Sequence, residues 1–445
     1  MMTREENELL TRVGAGTPMG ELLRCYWQPI VLSEELPPGA PPKPLKILGE
    51  DLVLFRDDQG RPGLLGLHCS HRGADLTYGR VEDGGLRCIY HGWLYDIHGS
   101  CLDQPGEPDG GKSRGTVRHP SYPCKEYGDL IFAYMGRGEA PLLPAFENLL
   151  APSSHRFIRK YYQECSFLQA NEGNIDPIHL SYLHAQFDEK YWSSRDRHLS
   201  IKGTAVTSMA MYKQDRAPRI ETEVTDFGVR IFSSRQTGDG KTYLRVSNFI
   251  VPNLCAVPGP MGPDGFNMNW HVPIDEGHHW KYMITFRRSA PLDEEDHRRS
   301  FQADITPDYR LLRNLGNRFR QDREEMKTRT FSGMGPSFVA HDAFATESQG
   351  PIQDRTREHL VSSDQAIVAS RKLLLKSIRD IQDGGQPPLI FKDPERNRFP
   401  DMVVLSEVIP GSVDPKDHVH QMIKQPTFSA RPSVAGLEVR SKGES

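Results

Sequence analysis

Two short runs of metal-ligand residues constrain this chain more than any other feature. The first is His68-Cys69-Ser70-His71-Arg72-Gly73 and the second is Cys88-Ile89-Tyr90-His91-Gly92-Trp93. As a pattern they read C-x-H, sixteen residues, C-x-x-H. Two thiolates and two imidazoles can hold one Zn²⁺ tetrahedrally, or a [2Fe–2S] cluster with both cysteines on one iron and both histidines on the other. Zinc fingers usually pair like with like, two cysteines and then two histidines. Here each arm offers one sulfur and one nitrogen, which suits a cluster whose two irons take different ligands. Zinc, and a scatter of core cysteines and surface histidines, are the lesser readings.

A second run lies about a hundred residues on. Glu172-Gly173-Asn174-Ile175-Asp176-Pro177-Ile178-His179 continues to His184 and contains D-x-x-H-x-x-x-x-H. Two neutral imidazoles and one carboxylate make the facial triad that leaves positions open on Fe(II). His179 and His184 are five apart, about 140° around an ideal helix, so a kink, widened turn or helix end is expected between them. Asp176, three residues before His179, is expected to orient that imidazole through its other nitrogen. The carboxylate ligand must then come from elsewhere.

Length and charge bound the rest. At about 100–200 residues per domain, 445 residues make two to four domains, divided as 1–27 helical, 28–140 all-β, 141–425 mixed and 426–445 a loose tail. Helices are predicted over Glu6–Val13 and Met19–Trp27, short strands from about residue 45 to Tyr134, and a linker over Glu139–Pro152. Beyond it, Cys165–His184 reads largely helical and residues 200–290 alternate as strands. Thr306-Pro307 is expected to open an amphipathic helix to about Lys327, and Ser363-Asp364 to cap another through Ile381, stopped by Gly384-Gly385. A net charge of −4 carries no basic excess for nucleic acid, and no stretch approaches the roughly 20 apolar residues of a membrane span. Seven cysteines and an acidic N-terminus without an apolar core point to a reducing cytoplasm. Gly106 to Ser113 fits G-x-x-x-x-G-K-S, but no helix pattern follows it to receive phosphate. No dinucleotide fingerprint appears, so any NADH chemistry belongs on another polypeptide.

The first constellation strongly resembles the Rieske family. Ala74 and Tyr90 stand where respiratory-chain members carry an extra cysteine pair, so the chain is similar to the oxygenase and ferredoxin branch. Its length beyond the cluster region, and the run Glu172–His179, resemble the Rieske non-haem iron ring-hydroxylating oxygenases. Val272-Pro273-Ile274-Asp275 and the block Gly350–Leu360 resemble their phthalate-dioxygenase-like branch. The resemblance implies an α+β chain: an N-terminal all-β Rieske domain, then a helix-grip (START/Bet v1-like) catalytic domain with an antiparallel sheet. It implies that Cys69, His71, Cys88 and His91 bind the cluster. It implies that His179, His184 and Asp342 bind mononuclear Fe(II), with O2 as co-substrate. Asp354 and Glu347 compete with Asp342, which follows His341 where the branch often has Gln.

The resemblance further implies that Asp176 bridges to His91 of a neighbouring subunit, in a homotrimer or a hexamer. The electron donor would be an NAD(P)H-dependent flavin/iron–sulfur reductase. The substrate would be an aromatic carboxylate such as a phthalate or benzoate, cis-dihydroxylated. The alternatives are O-demethylation or monohydroxylation by the same iron, or an electron-transfer protein without oxygenase activity. A carboxylate in an apolar pocket calls for arginine. Arg245, on a strand predicted over Thr242–Val251, is the first candidate; Arg195 and Arg197 follow. Trp270-His271 and His278-His279 are expected to be ordinary core or surface polar residues.

Overall fold

Thr3 starts the first helix through a reciprocal cap: its hydroxyl accepts from the Glu6 amide, and the Glu6 carboxylate accepts from the Thr3 amide. This α1 (Arg4–Thr11) is followed by α2 (Pro18–Arg24), capped by Thr17. The second helix was expected to reach Trp27. It stops at Arg24, and Trp27 instead opens a strand paired with Tyr134, a tertiary pairing that overrides the local helical pattern. The coordinates are a computed structural model that describes residues 2–108, 111–187, 201–202 and 207–425. Arg195, Arg197 and the expected tail 426–445 lie outside the described residues.

The strands β1 (Trp27–Leu32), β2 (Lys43–Ile47), β3 (Glu50–Arg56) and β4 (Pro62–Gly66) lead into β5 (Arg80–Glu82), β6 (Gly85–Arg87), β7 (Leu94–Tyr95) and β8 (Cys101–Asp103). Then come β9 (Ser121–Tyr122), β10 (Cys124–Tyr127) and β11 (Leu130–Tyr134). They form three small antiparallel sheets, ordered β2-β3-β4-β9, β5-β6-β7-β8 and β1-β11-β10. The β5–β6 hairpin turns on Asp83-Gly84, both at positive φ, the conformation a two-residue hairpin needs. Val53, Phe55, Leu65, Leu86 and Tyr95 close a small core around Cys69 and Cys88.

The expected linker is pinned down rather than free. It contains α3 (Glu147–Leu150), with Phe146 and Leu149 buried in the main core. From there β12 (Arg156–Gln163), α4 (Phe167–Ile175) and α5 (Ser208–Gln214) precede β13 (Arg219–Thr225), β14 (Gly228–Gln236) and β15 (Lys241–Ile250). Next are β16 (Leu254–Val257), β17 (Gly265–Pro273), β18 (His279–Arg287) and α6 (Glu294–Gln302). The strands build one antiparallel sheet, β12-β18-β17-β16-β15-β14-β13. After α7 (Glu325–Thr328), α8 (Phe338–Glu347) and α9 (Gln365–Gln382), β19 (Leu405–Pro410) pairs with β15 beside β16, and α10 (Pro415–Ile423) closes the chain. Ala366, Ser370, Leu374, Ser377 and Ile378 make the buried stripe by which α9 lies on β13 and β14. This is the expected all-β unit followed by helices on an antiparallel sheet. Trp270 of β17 packs against Phe132 of β11, so the main core runs through both parts.

The helix expected over Thr306–Lys327 does not form. Thr306 and Arg310 close a tight turn, Ile305 bridges Leu311, and Leu315–Arg320 is an irregular 3₁₀ stretch with Arg318 and Phe319 at positive φ. Leu311 and Phe319 are instead drawn against Phe157 and Tyr161 of β12, a tertiary contact that outweighs the local periodicity. No helix among the described residues is long and apolar enough to cross a membrane.

Candidate metal centres and substrate cavity

The two ligand loops are built alike. The Cys69 amide donates to the Ala74 carbonyl and Gly73 N–H returns to the Cys69 carbonyl; Cys88 does the same with Trp93 and Gly92. Gly73 and Gly92 both sit at positive φ, where a side chain would be strained. The loops leave β4 and the β6–β7 turn side by side. They bring the His71 and His91 rings to 4.5 Å, and Trp93 stacks flat on His71. Both cysteines are buried, and Tyr95 Oη is 3.2 Å from Cys69 Sγ. His71 Nδ1 is enclosed and makes no hydrogen bond to a described residue. Two buried thiols, two adjacent imidazoles and an enclosed, unbonded ring nitrogen fit a two-iron cluster. They do not gather around one ion as tetrahedral zinc would require. Among the described residues, the group of three or more possible ligands whose atoms all lie within 4.8 Å is His179, His184 and Asp342.

That second group depends on where α4 ends. Asp176 precedes Pro177, which bars it from the helical region, and its backbone is extended (φ −83°, ψ 114°). The chain then makes a short 3₁₀ turn, His179–Ser181. The break expected between His179 and His184 comes earlier: the helix ends before His179, because Pro177 stops it there, and the two imidazoles meet at a ring distance of 5.0 Å. The carboxylate arrives on α8, which Ser337 caps by accepting from the Ala340 amide. Asp342 Oδ1 lies 3.0 Å from His184 Nε2 and 3.9 Å from His179 Nε2. An ion about 2.1 Å from each donor would sit within such a group, and two imidazoles with one carboxylate suit Fe(II). Burial alone would raise the Asp342 pKa, but His184 and Lys281 hold it well below the usual carboxylate range.

Asp176 Oδ1 accepts from the Ile178 amide, and its Oδ2 is 3.8 Å from His179 Nδ1. Burial works against the His179 charge, yet Asp176 and Asp342 raise its pKa overall. The competing carboxylates stand aside. Asp354 caps the turn at Thr356, and Glu347 accepts from the Glu164 amide, its pKa pushed up to about 7 by burial. His341, next to Asp342, is fully buried against His184. His271 and His279 are core residues 3.1 Å apart on β17 and β18, and His278 pairs with Asp275.

The triad opens on a cavity of about 390 Å³ along one face of the sheet. Alternate residues line it: Arg159 and Tyr161 of β12, Lys281, Met283 and Thr285 of β18, Asn267 and Asn269 of β17, Arg245 and Ser247 of β15. Arg245 is therefore where the period-two reading puts it. Its polar contacts among the described residues are long and uncharged: Tyr212 Oη at 3.4 Å and the Pro258 carbonyl at 3.5 Å. Arg159 and Lys281 escaped the sequence reading. Lys281 is 2% exposed, with Nζ 3.8 Å from Asp342 Oδ2. Its alternation with Met283 and Thr285 was the available signal. A second, more polar cavity of about 150 Å³ also reaches Asp176, His179 and Asp342, past Gln163, Gln349 and Gln353.

Residues 26–123 match the family model of the Rieske [2Fe-2S] domain, and residues 133–429 match the LigXa C-terminal domain like family. The chain is 36% identical to the phthalate 4,5-dioxygenase oxygenase subunit of Pseudomonas putida, over 86% of this chain and 88% of the relative. It is 34% identical to the 5,5'-dehydrodivanillate O-demethylase oxygenase subunit of a Sphingobium species, over 89% and 85% respectively. Among solved structures, the fold is similar to the carbazole-bound oxygenase in its ferredoxin complex of carbazole 1,9a-dioxygenase. The TM-score is 0.56 at 22% identity, covering 84% of this chain and 92% of that one.

Proposed function

This chain belongs to the Rieske non-haem iron oxygenases, as a terminal oxygenase component of the phthalate-dioxygenase-like branch, and from that premise we propose that it cis-dihydroxylates a carboxylated aromatic compound such as a phthalate or benzoate. When bound, the [2Fe–2S] cluster supplies electrons singly and the mononuclear Fe(II) supplies the site where O2 is turned against the ring. Cys69, His71, Cys88 and His91 would hold the cluster. His179, His184 and Asp342 would hold the iron.

The observation that carries the substrate reading is Arg245. It lines the same cavity as the three iron-ligand candidates, and no carboxylate pairs with it among the described residues. A planar guanidinium receives a carboxylate through two parallel hydrogen bonds, which fixes the ring's distance and tilt relative to the His179–His184–Asp342 corner. Met283, Val257, Leu180 and Phe338 supply apolar wall for the ring and exclude water. Arg195 and Arg197 are further candidates for the same carboxylate. O-demethylation is the second reading. It is favoured by the similarity to the dehydrodivanillate demethylase subunit, and the pose of the methoxy group would decide it.

Asp176 is proposed as the bridge between His179 and the His91 of a neighbouring copy, in a head-to-tail trimer or hexamer. Exposed Ile89 and Tyr90 lie in the His91 loop, and exposed Ile352, Leu360 and Val361 flank the segment whose Gln353 and Glu358 line the cavity reaching Asp176. Apolar groups at both places suit a copy-to-copy contact. An NAD(P)H-dependent flavin/iron–sulfur reductase is proposed as electron donor. A cytoplasmic location suits seven cysteines of which none is in a disulfide.

The test is turnover of phthalates, benzoates and methoxybenzoates with a surrogate reductase, measuring product against O2 consumed. Arg245→Ala should raise KM for the carboxylated substrate by about 10–150-fold, the equivalent of a charged hydrogen bond worth about 1.5–3 kcal/mol. The neutral analogue should be little affected, and equal effects on both would remove the carboxylate reading.

A further inference from the structure

The two candidate iron-ligand imidazoles are held in different ways. His179 Nδ1 makes no hydrogen bond to a described residue, and Asp176 stands off at 3.8 Å. His184 is 1% exposed and has a close contact at its back: its Nδ1 lies 3.1 Å from Nδ1 of His341, which is itself 0% exposed. Two ring nitrogens at that distance share one proton, so one must donate and the other accept. The far side of His341 decides which. Its Nε2 is 2.9 Å from the Gly335 carbonyl, which can only accept, and 3.1 Å from Ser332 Oγ. His341 Nε2 therefore carries the hydrogen. A neutral ring then has its lone pair on Nδ1, so His184 Nδ1 is the donor. With an ion between them, the His184 Nε2 lone pair is then the one directed at the corner shared with Asp342 Oδ1, 3.0 Å away.

We propose that His341 is a positioning residue that locks His184 in the Nδ1–H form, through the chain Gly335 carbonyl, His341, His184, so that Nε2 is free for iron. The backbone fixes the direction of this relay, because Gly335 and His341 belong to the turn and first turns of α8, the same helix that delivers Asp342. One rigid element thus sets both the carboxylate and the lone pair opposite it. Without an acceptor at position 341, His184 can turn over or move its proton to Nε2, and either change removes a donor from the triad.

The proposal rests on His184 as an iron ligand, and the experiment separates the two ideas. Fe(II) affinity is measured by chelator competition on the purified oxygenase, with cluster absorbance and thermal unfolding as checks of folding. Wild type must bind about one Fe(II) per chain beyond its cluster; if it does not, the iron reading itself falls. His341→Met removes the acceptor and should weaken Fe(II) binding by about 10–100-fold, as loss of an outer hydrogen-bond partner does. His341→Gln offers an amide oxygen to His184 and an amide N–H to Gly335, and should stay within about threefold of wild type. Wild-type affinity in H341M overturns the proposal, as does a folded H341Q as weak as H341M. Should H341M lose its cluster absorbance, H341Q alone decides: a loss of about tenfold or more in that variant overturns the relay.

Discussion

Glu172 is the place where removal of one charge should be felt most. It lies on α4, four residues before Asp176, and is 6% exposed. Its carboxylate receives Arg371 at 2.6 and 3.1 Å and Arg355 at 3.0 and 3.3 Å. Arg355 is 0% exposed and Arg371 5%, and Glu358 covers the other side of Arg371 at 2.5 and 2.8 Å. Two guanidinium groups and two carboxylates thus balance inside the protein. Glu172→Gln keeps the shape and one acceptor but leaves a net buried positive charge. Breaking a buried pair this way costs about 3–5 kcal/mol, much of it from the charge left behind. Glu358→Gln touches only Arg371 and a better-hydrated carboxylate, so it should cost less, about 1.5–3 kcal/mol. Urea unfolding followed by tryptophan fluorescence measures both. Burial raises the Glu172 pKa, but Arg355 and Arg371 outweigh it and leave the folded value lowered. The charge contribution is therefore complete above the unfolded value near about 4.3 and disappears as pH falls through the depressed folded value. The gap between wild type and E172Q should close in the same range, because protonated Glu172 resembles Gln. A gap under about 1 kcal/mol at pH 7, or one that persists in acid, would refute the ion-cluster reasoning.

Asp342→Ala should purify with its cluster absorbance intact but with Fe(II) affinity reduced by more than the roughly 10–100-fold of an outer-partner loss; retained iron would exclude Asp342 as a ligand. Asp176→Asn should keep both metals and slow product formation by about 10–100-fold, and wild-type turnover would dismiss the bridge. Trp270 is 1% exposed and packs 5.4 Å from Phe132 and 6.3 Å from Phe146. Trp270→Ala should cost about 3–5 kcal/mol and lower the unfolding temperature of the cluster-bearing part as well as the catalytic sheet. Loss confined to one of the two would show that they do not share a core.

What could be read directly from the chain was what is settled within a few residues. The ligand loops are legible because each places its cysteine and histidine inside one turn, closed by a glycine at the position that needs positive φ. The break that the five-residue spacing demanded was legible, but its place was not: the helix ends before Pro177, ahead of His179. Alternation along β15 put Arg245 on the face that lines the cavity. The same rule would have placed Lys281 beside Met283 and Thr285, but a lysine at that spacing reads as solvated until a second strand covers it. Asp342, Glu347 and Asp354 are equivalent as isolated carboxylates. Only the docking of α8 against the His184 turn separates them, by a contact 158 residues long in sequence. The segment after Thr306 has helical periodicity, yet Leu311 and Phe319 gain more by burial against β12 than a helix would return. Local chemistry thus settles which residues can bind, because ligand type and backbone freedom are properties of short segments. Which of them meet is settled by the tertiary structure, because convergence depends on how distant segments pack, and no window along the chain contains that information.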